Sequence, residues 1–380
     1  MQEWSCLAID YVQFYVDDVE HWRRVYLDTW QFSERSRWQT DDTLHVWVSH
    51  ADIHLLLSQA LSACSPVARF RRQRARGVAE IGLRVDRLDG AISHLRDRLN
   101  FKCSSFKHPK LDRSKLDRPN FERWPDWNDG RDRGIRIQTP FGIRHALIER
   151  SPSSQPDDAL LPGTPAARSP ASLSPEVSLT HIDHAVLNVG RDRLQTAARW
   201  YAEVLGLEPL DRFDIHTPYS GLRSVVMGCR DRGLQLPINE PTHARSQVQE
   251  FLEANGGSGI QHIALHASDI ERTVGTLRDR GVEFLAIPSS YYDRMAANPL
   301  LRDRVERLRP IHLLADLEPP DRLLLQTFAR PLFGEPTFFY EIVQRQQRAV
   351  GFGEGNFQAL YEAIEREQQH RAAHLTGNST

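Results

Sequence analysis

The chain has 380 residues, 40% of them apolar and 26% charged, with a formal net charge of −2. That length exceeds the ~250–300 residues at which one hydrophobic core stops growing, so two domains are expected. Near-neutral charge gives no electrostatic reason to expect a nucleic acid or anionic membrane as partner, and no apolar run approaches the ~18 residues of a membrane span. Cys6, Cys64, Cys103 and Cys229 are scattered without framework spacing, and the N-terminus lacks a basic region followed by an apolar run, so the expected location is the cytoplasm.

In chain order, Ile9–Val16 alternates like a strand, and Trp22, Val25, Tyr26 and Trp30 follow at helical spacing. An arginine-rich run at Ala68–Gly77 raises nucleic-acid binding, but a solvated loop is the expectation for a chain of this net charge. Residues 151–178 are rich in Pro, Ser and Ala, which predicts an extended connector. The predicted division is an N-terminal domain over 1–155, a linker over 156–178 and a C-terminal domain over 179–380.

The two halves repeat one another. Ile9–Val16 answers Ile182–Val189, GVAEIGLRVDRLDGAISHLRDR from Gly77 answers GIQHIALHASDIERTVGTLRDR from Gly259, and Ile143–Arg150 answers Phe338–Arg345. The offset between matched segments grows along the chain, as insertions in surface connections produce. The expected fold is α+β: tandem duplicated βαβββ modules whose sheets curl into two open, barrel-like domains.

The alignment of the halves also exposes where they differ. His184 stands against Tyr11, His262 against Glu80 and Glu341 against Ala146, each inside a strand-like apolar run. Two imidazoles and one carboxylate suit a divalent metal held on one face, with positions left open. A carboxylate within Phe-Phe-Tyr-Glu-Ile-Val is costly to bury unpaired; a metal cation would answer that cost, and so would an arginine such as Arg345. The first half lacks all three residues and is expected to bind no metal.

The segments IDHAVLNV, LRSVV, LPINEPTHARSQVQEFLEANGGSGIQHIAL, IPSSYY, LLLQTF, PTFFYEIVQR and GFGEGNFQALYEAIE occur in this order from Ile182 to about Glu367. Together they resemble the 4-hydroxyphenylpyruvate dioxygenase family of the vicinal oxygen chelate superfold. The resemblance implies one Fe(II) per subunit, held by His184, His262 and Glu341. It implies a substrate cavity with Ser224, Asn239, Gln247, Gln261 and Gln326 as polar contacts and Phe328, Phe339, Phe352 and Phe357 as its aromatic wall. Asn356 would help fix a C-terminal helix over the active site, in which Phe357, Leu360, Tyr361 and Ile364 recur at helical spacing.

Strand alternation places Phe339 with Glu341 and Gln326 with Phe328, but sends Gln261 to the face opposite His262. The implied reaction converts 4-hydroxyphenylpyruvate and O2 to homogentisate and CO2, in a dimer or tetramer. Its rivals are a 4-hydroxymandelate synthase and a non-catalytic small-molecule-binding protein of the same superfold.

Overall fold

The computed structural model describes residues 4–102, 122–123, 132–151, 176–216, 221–318, 321–357, 359, 360 and 363. Most of the connector, Cys103, Tyr361 and Ile364 lie outside these described residues.

The first half contributes strands β1 (Cys6–Val16), β2 (Ser33–Gln39), β3 (Thr43–His50), β4 (Ile53–Ala60), β5 (Gly77–Val85), β6 (Glu122–Arg123), β7 (Asp132–Gln138) and β8 (Arg144–Arg150). The second contributes β9 (Leu179–Asn188), β10 (Glu208–His216), β11 (Gly221–Gly228), β12 (Gln235–Pro241), β13 (Gly259–Ala267), β14 (Leu314–Glu318), β15 (Arg322–Phe328) and β16 (Phe339–Gln346). Their spatial orders are β2-β3-β4-β1-β5-β8-β7-β6 and β10-β11-β12-β9-β13-β16-β15-β14, the same arrangement twice. Each is two βαβββ units joined edge to edge, as the repeat predicts.

Register carries the duplication to single residues. Tyr11 lies opposite Gly82, and Gly82 opposite Ala146. In the second half His184 lies opposite Ala264, and Ala264 opposite Glu341. The three aligned pairs of the sequence therefore occupy equivalent places in the two sheets.

Helices α1 (Val19–Arg24), α2 (Pro66–Arg71), α3 (Leu88–Lys102), α4 (Leu194–Leu205), α5 (Gln247–Asn255), α6 (Ile270–Asp279) and α7 (Ser289–Ala297) cross between strands or cover them. In α4, Leu194, Ala197, Ala198, Tyr201, Val204 and Leu205 are buried, an apolar stripe at helical period, and Gly206 ends the helix in the left-handed conformation. Asp18 starts α1 by accepting from the Glu20 and His21 amides.

The halves share one apolar core. Side chains from the helical stretch of each half reach a central strand of the other. Tyr201 of α4 meets His145 of β8 (3.0 Å), and Tyr26, just beyond α1, meets Tyr340 of β16 through paired hydroxyls (2.8 Å). Strands buried on both faces explain why the run around Glu341 is continuously apolar rather than alternating.

The arginine-rich run divides: Ala68–Arg71 ends α2, Arg69 and Arg72 are exposed, and the two arginines that follow are held. Arg74 donates to the Ser258 carbonyl (2.6 Å), and Arg76 donates to the Phe333 carbonyl (2.9 Å) and pairs with Asp17 and Glu335. It ties the first half to the second. At the other end of the connector, Val177 is buried and Ser178 hydrogen-bonds Thr273 of α6. No helix among the described residues is long and apolar enough to cross a membrane.

Candidate active site and metal centre

β9, β13 and β16 bring His184, His262 and Glu341 together on the inner face of the second sheet. Their ligating atoms all lie within 4.8 Å of one another. The His184 and His262 Nε2 atoms point at the same oxygen, Glu341 Oε2, at 3.3 and 3.5 Å.

Sequence reasoning left open whether a metal or Arg345 answers the Glu341 charge. Arg345 does not pair with Glu341. It grips Asp183, through Nε to Oδ2 (2.7 Å) and Nη2 to Oδ1 (2.8 Å). Asp183 Oδ1 in turn bonds His184 Nδ1 (2.7 Å). A carboxylate on one imidazole nitrogen fixes the ring and leaves the other as a ligand atom, the usual support of a metal-binding histidine. The buried His262 Nδ1 finds no hydrogen-bond partner among the described residues.

Electrostatics point the same way. Burial disfavours a charged His184, but hydrogen bonds with Asp183 and Glu341 outweigh it and raise its pKa to about 9. Burial lowers that of His262, with Glu341 opposing. Burial would raise Glu341, yet both imidazoles hold it below the usual carboxylate value. The cluster favours positive charge between the buried His184 and Glu341 and the partly buried His262. Two nitrogens and one carboxylate oxygen, already aimed at one point, fit a first-row divalent ion, with coordination positions left over for other ligands.

Around this group lies a cavity partly open to solvent, with about 620 Å³ of empty space counted out to its open mouth. Ser224, Asn239, Gln247, Gln261 and Gln326 line it as polar groups, and Phe328, Phe339, Phe352 and Phe357 form apolar wall. Gln261 reaches the cavity beside His262 because the β9–β13 register shifts between Ile260 and His262. A bulge re-aims adjacent side chains, which simple alternation cannot foresee.

Asn356 does not line the cavity. It sits behind Gln326, donating to Oε1 (3.2 Å) and accepting from the Tyr291 hydroxyl (2.7 Å). Gln326 Nε2 completes the relay to Glu341 Oε1 (3.2 Å). Phe357 and Leu360 are both helical, and both side chains line the cavity. Phe339 stacks on the His262 ring (centroids 4.8 Å, 18° between planes).

Sequence reading missed Asp183, Asn188 and Phe213. Asp183 carried a usable signal, a carboxylate inside an apolar strand, the same argument that singled out Glu341. Asn188 is buried and accepts from Asn239 Nδ2 (3.3 Å), which orients that cavity amide. Phe213 lines the cavity and packs against Phe352 and Phe357; its strand reads as polar and offers no signal.

The first half fills the equivalent space differently. Glu80, fully buried, is hydrogen-bonded by Tyr11 and ion-paired with Arg136 (2.8 Å) and Arg144 (3.0 Å). By register, Arg136 and Arg144 stand where Phe328 and Phe339 stand in the second half. Two guanidinium groups supply there the positive charge that Glu80 needs.

The Glyoxalase/Bleomycin resistance protein/Dioxygenase superfamily matches residues 181–303. A 4-hydroxyphenylpyruvate dioxygenase of Caenorhabditis elegans is 33% identical over 96% of this chain and 93% of its own length. One of Yarrowia lipolytica is 42% identical over 62% of each chain. Among solved structures, a triple mutant of 4-hydroxymandelate synthase from Streptomyces coelicolor superposes with a TM-score of 0.77 at 25% identity, covering 96% of this chain and 99% of that one. With a relative matched over nearly its whole length, the doubled βαβββ sheets and the buried His-His-Glu group have their place: the chain belongs to the 4-hydroxyphenylpyruvate dioxygenase family.

Proposed function

We propose that this protein is an Fe(II)-dependent dioxygenase that converts 4-hydroxyphenylpyruvate and O2 to homogentisate and CO2. The observation that carries the reading is the meeting of two imidazoles and a carboxylate at the floor of a cavity walled by phenylalanines and ringed by amides. His184, His262 and Glu341 would hold the iron, which when bound supplies the redox chemistry for activating dioxygen and decarboxylating a 2-oxo acid. No separate reductant is required, because the 2-oxo acid side chain of the substrate provides the electrons.

The chain's own side chains bind and orient. Phe328, Phe339 and Phe352 offer flat apolar surface to an aromatic ring. Ser224 and Asn239 are adjacent across β11 and β12, with Asn239 held by Asn188, and suit hydrogen bonding to a phenol. Gln326 is fixed between Glu341 and Asn356 and borders the metal position. Phe357 and Leu360 line the cavity and add apolar surface to it, which narrows the access of water to the metal position.

A second reading is 4-hydroxymandelate synthase, which the Streptomyces coelicolor neighbour favours. Incubating the iron-loaded protein with 4-hydroxyphenylpyruvate and O2 and identifying the product chromatographically separates the two. Homogentisate is the expected product; 4-hydroxymandelate would replace this proposal by its rival. No oxygen uptake at all would leave a binding protein.

A further inference from the structure

Arg345 has two jobs to which a simple counter-ion would not extend. Its Nε and Nη2 form a fork on Asp183, the residue that orients His184. Its remaining nitrogen, Nη1, turns the other way and donates to the Gly351 carbonyl (2.7 Å) and the Ala349 carbonyl (3.2 Å). The same short segment is held from the other side by Glu318, which accepts from the Gly351 amide (2.6 Å) and the Val350 amide (3.1 Å).

The next residue closes the circuit. The Phe352 ring lies under the Arg345 guanidinium (5.8 Å) and meets the His184 ring edge to face (5.2 Å, 74°). From there Gly353 turns the chain over Gln326, and Phe357 and Leu360 cover the cavity. The His184 ring, the Asp183 carboxylate, the Arg345 fork and the backbone of Ala349–Gly351 are thus consecutive members of one hydrogen-bonded chain.

We propose that Arg345 is a positioning residue that couples metal binding at His184, His262 and Glu341 to closure of the 349–357 segment over the cavity. The proposal rests on the metal-centre reading above. Because coupling between two events is reciprocal, a metal that fixes His184 holds the segment down, and a segment held down favours the metal. Lysine cannot replace the fork, since a point charge cannot hold both carboxylate oxygens and two carbonyls in fixed geometry.

The test uses the full chain, Co(II) alone as the probe, calorimetric titration for affinity and hydrogen exchange for the amides of residues 349–357. In the unsubstituted protein Co(II) is expected to slow exchange in that segment by ~10-fold or more. In Arg345→Gln and Arg345→Lys, affinity is expected to fall ~10–100-fold, the usual effect of losing an outer partner of a metal ligand. At saturating Co(II) both variants should also lose the metal-dependent slowing, which a general loss of stability would not produce.

Wild-type exchange at 349–357 that ignores bound Co(II) overturns the coupling, and so does a folded Arg345→Gln protein with unchanged affinity and unchanged slowing. If the Arg345 variants fail to fold, the wild-type comparison and Asp183→Asn decide. Failure of the wild-type protein to bind Co(II) at all is a different result: it removes the metal-centre reading, and the coupling with it.

Discussion

Gly353 has φ +79°, and a β-carbon placed there would lie 1.8 Å from Gln326 Oε1. Gly353→Ala therefore meets two separable penalties. The left-handed backbone costs a residue with a side chain about 1 kcal/mol. Moving Gln326 breaks its bonds with Asn356 and Glu341, at roughly 1 kcal/mol each. The total is about 3 kcal/mol. Gly334 is the matched control, with φ +77° and open space where its β-carbon would go. Gly334→Ala should cost only the backbone term, about 1 kcal/mol. Urea unfolding of both variants measures the difference, and turnover should fall only in Gly353→Ala, because Gln326 borders the metal position. Equal destabilisation, or full activity in Gly353→Ala, would refute the reasoning.

Glu80→Gln in the first half leaves two partly exposed guanidinium groups without their buried counter-charge and should cost ~2–3 kcal/mol in unfolding free energy while metal content stays unchanged; a cost below ~0.5 kcal/mol contradicts the assignment of that cluster as the charge-balancing core of the first half. His145 is buried against Tyr201, and burial lowers its pKa to about 4 from an ordinary 6.5. A depressed folded-state value contributes stability above pH 6.5 that is lost as pH falls through 4, up to roughly 3 kcal/mol. Melting curves across that window should show His145→Gln less pH-dependent than the parent; parallel curves would rule the effect out.

The duplication was legible because β-strand position is preserved when loops change, so Tyr11 and His184, or Ala146 and Glu341, still hold equivalent register positions in the two sheets. The metal group followed from the same comparison, since a histidine or carboxylate in a strand that is otherwise apolar announces an unusual environment. Gln261 was legible only through resemblance, because the bulge before His262 breaks the two-residue period. The expected solvated run holds for the exposed Arg69 and Arg72 but not for Arg74 and Arg76: their partners include the carbonyls of Ser258 and Phe333, far along the chain, and backbone acceptors leave no mark in a sequence. Arg345 was noticed but given the wrong possible partner. From sequence, Asp183 and Glu341 are both buried acids within its reach, and only the fold decides between them.

The proposed activity requires three side chains from separate strands to hold one ion. Metal analysis of the purified protein after anaerobic loading with Fe(II), beside His184→Ala, His262→Ala and Glu341→Ala, tests this directly. One iron per chain is expected in the unsubstituted protein, with each replacement abolishing tight binding. A replacement that keeps the iron at full occupancy, or a second tightly held iron in the parent, would contradict it.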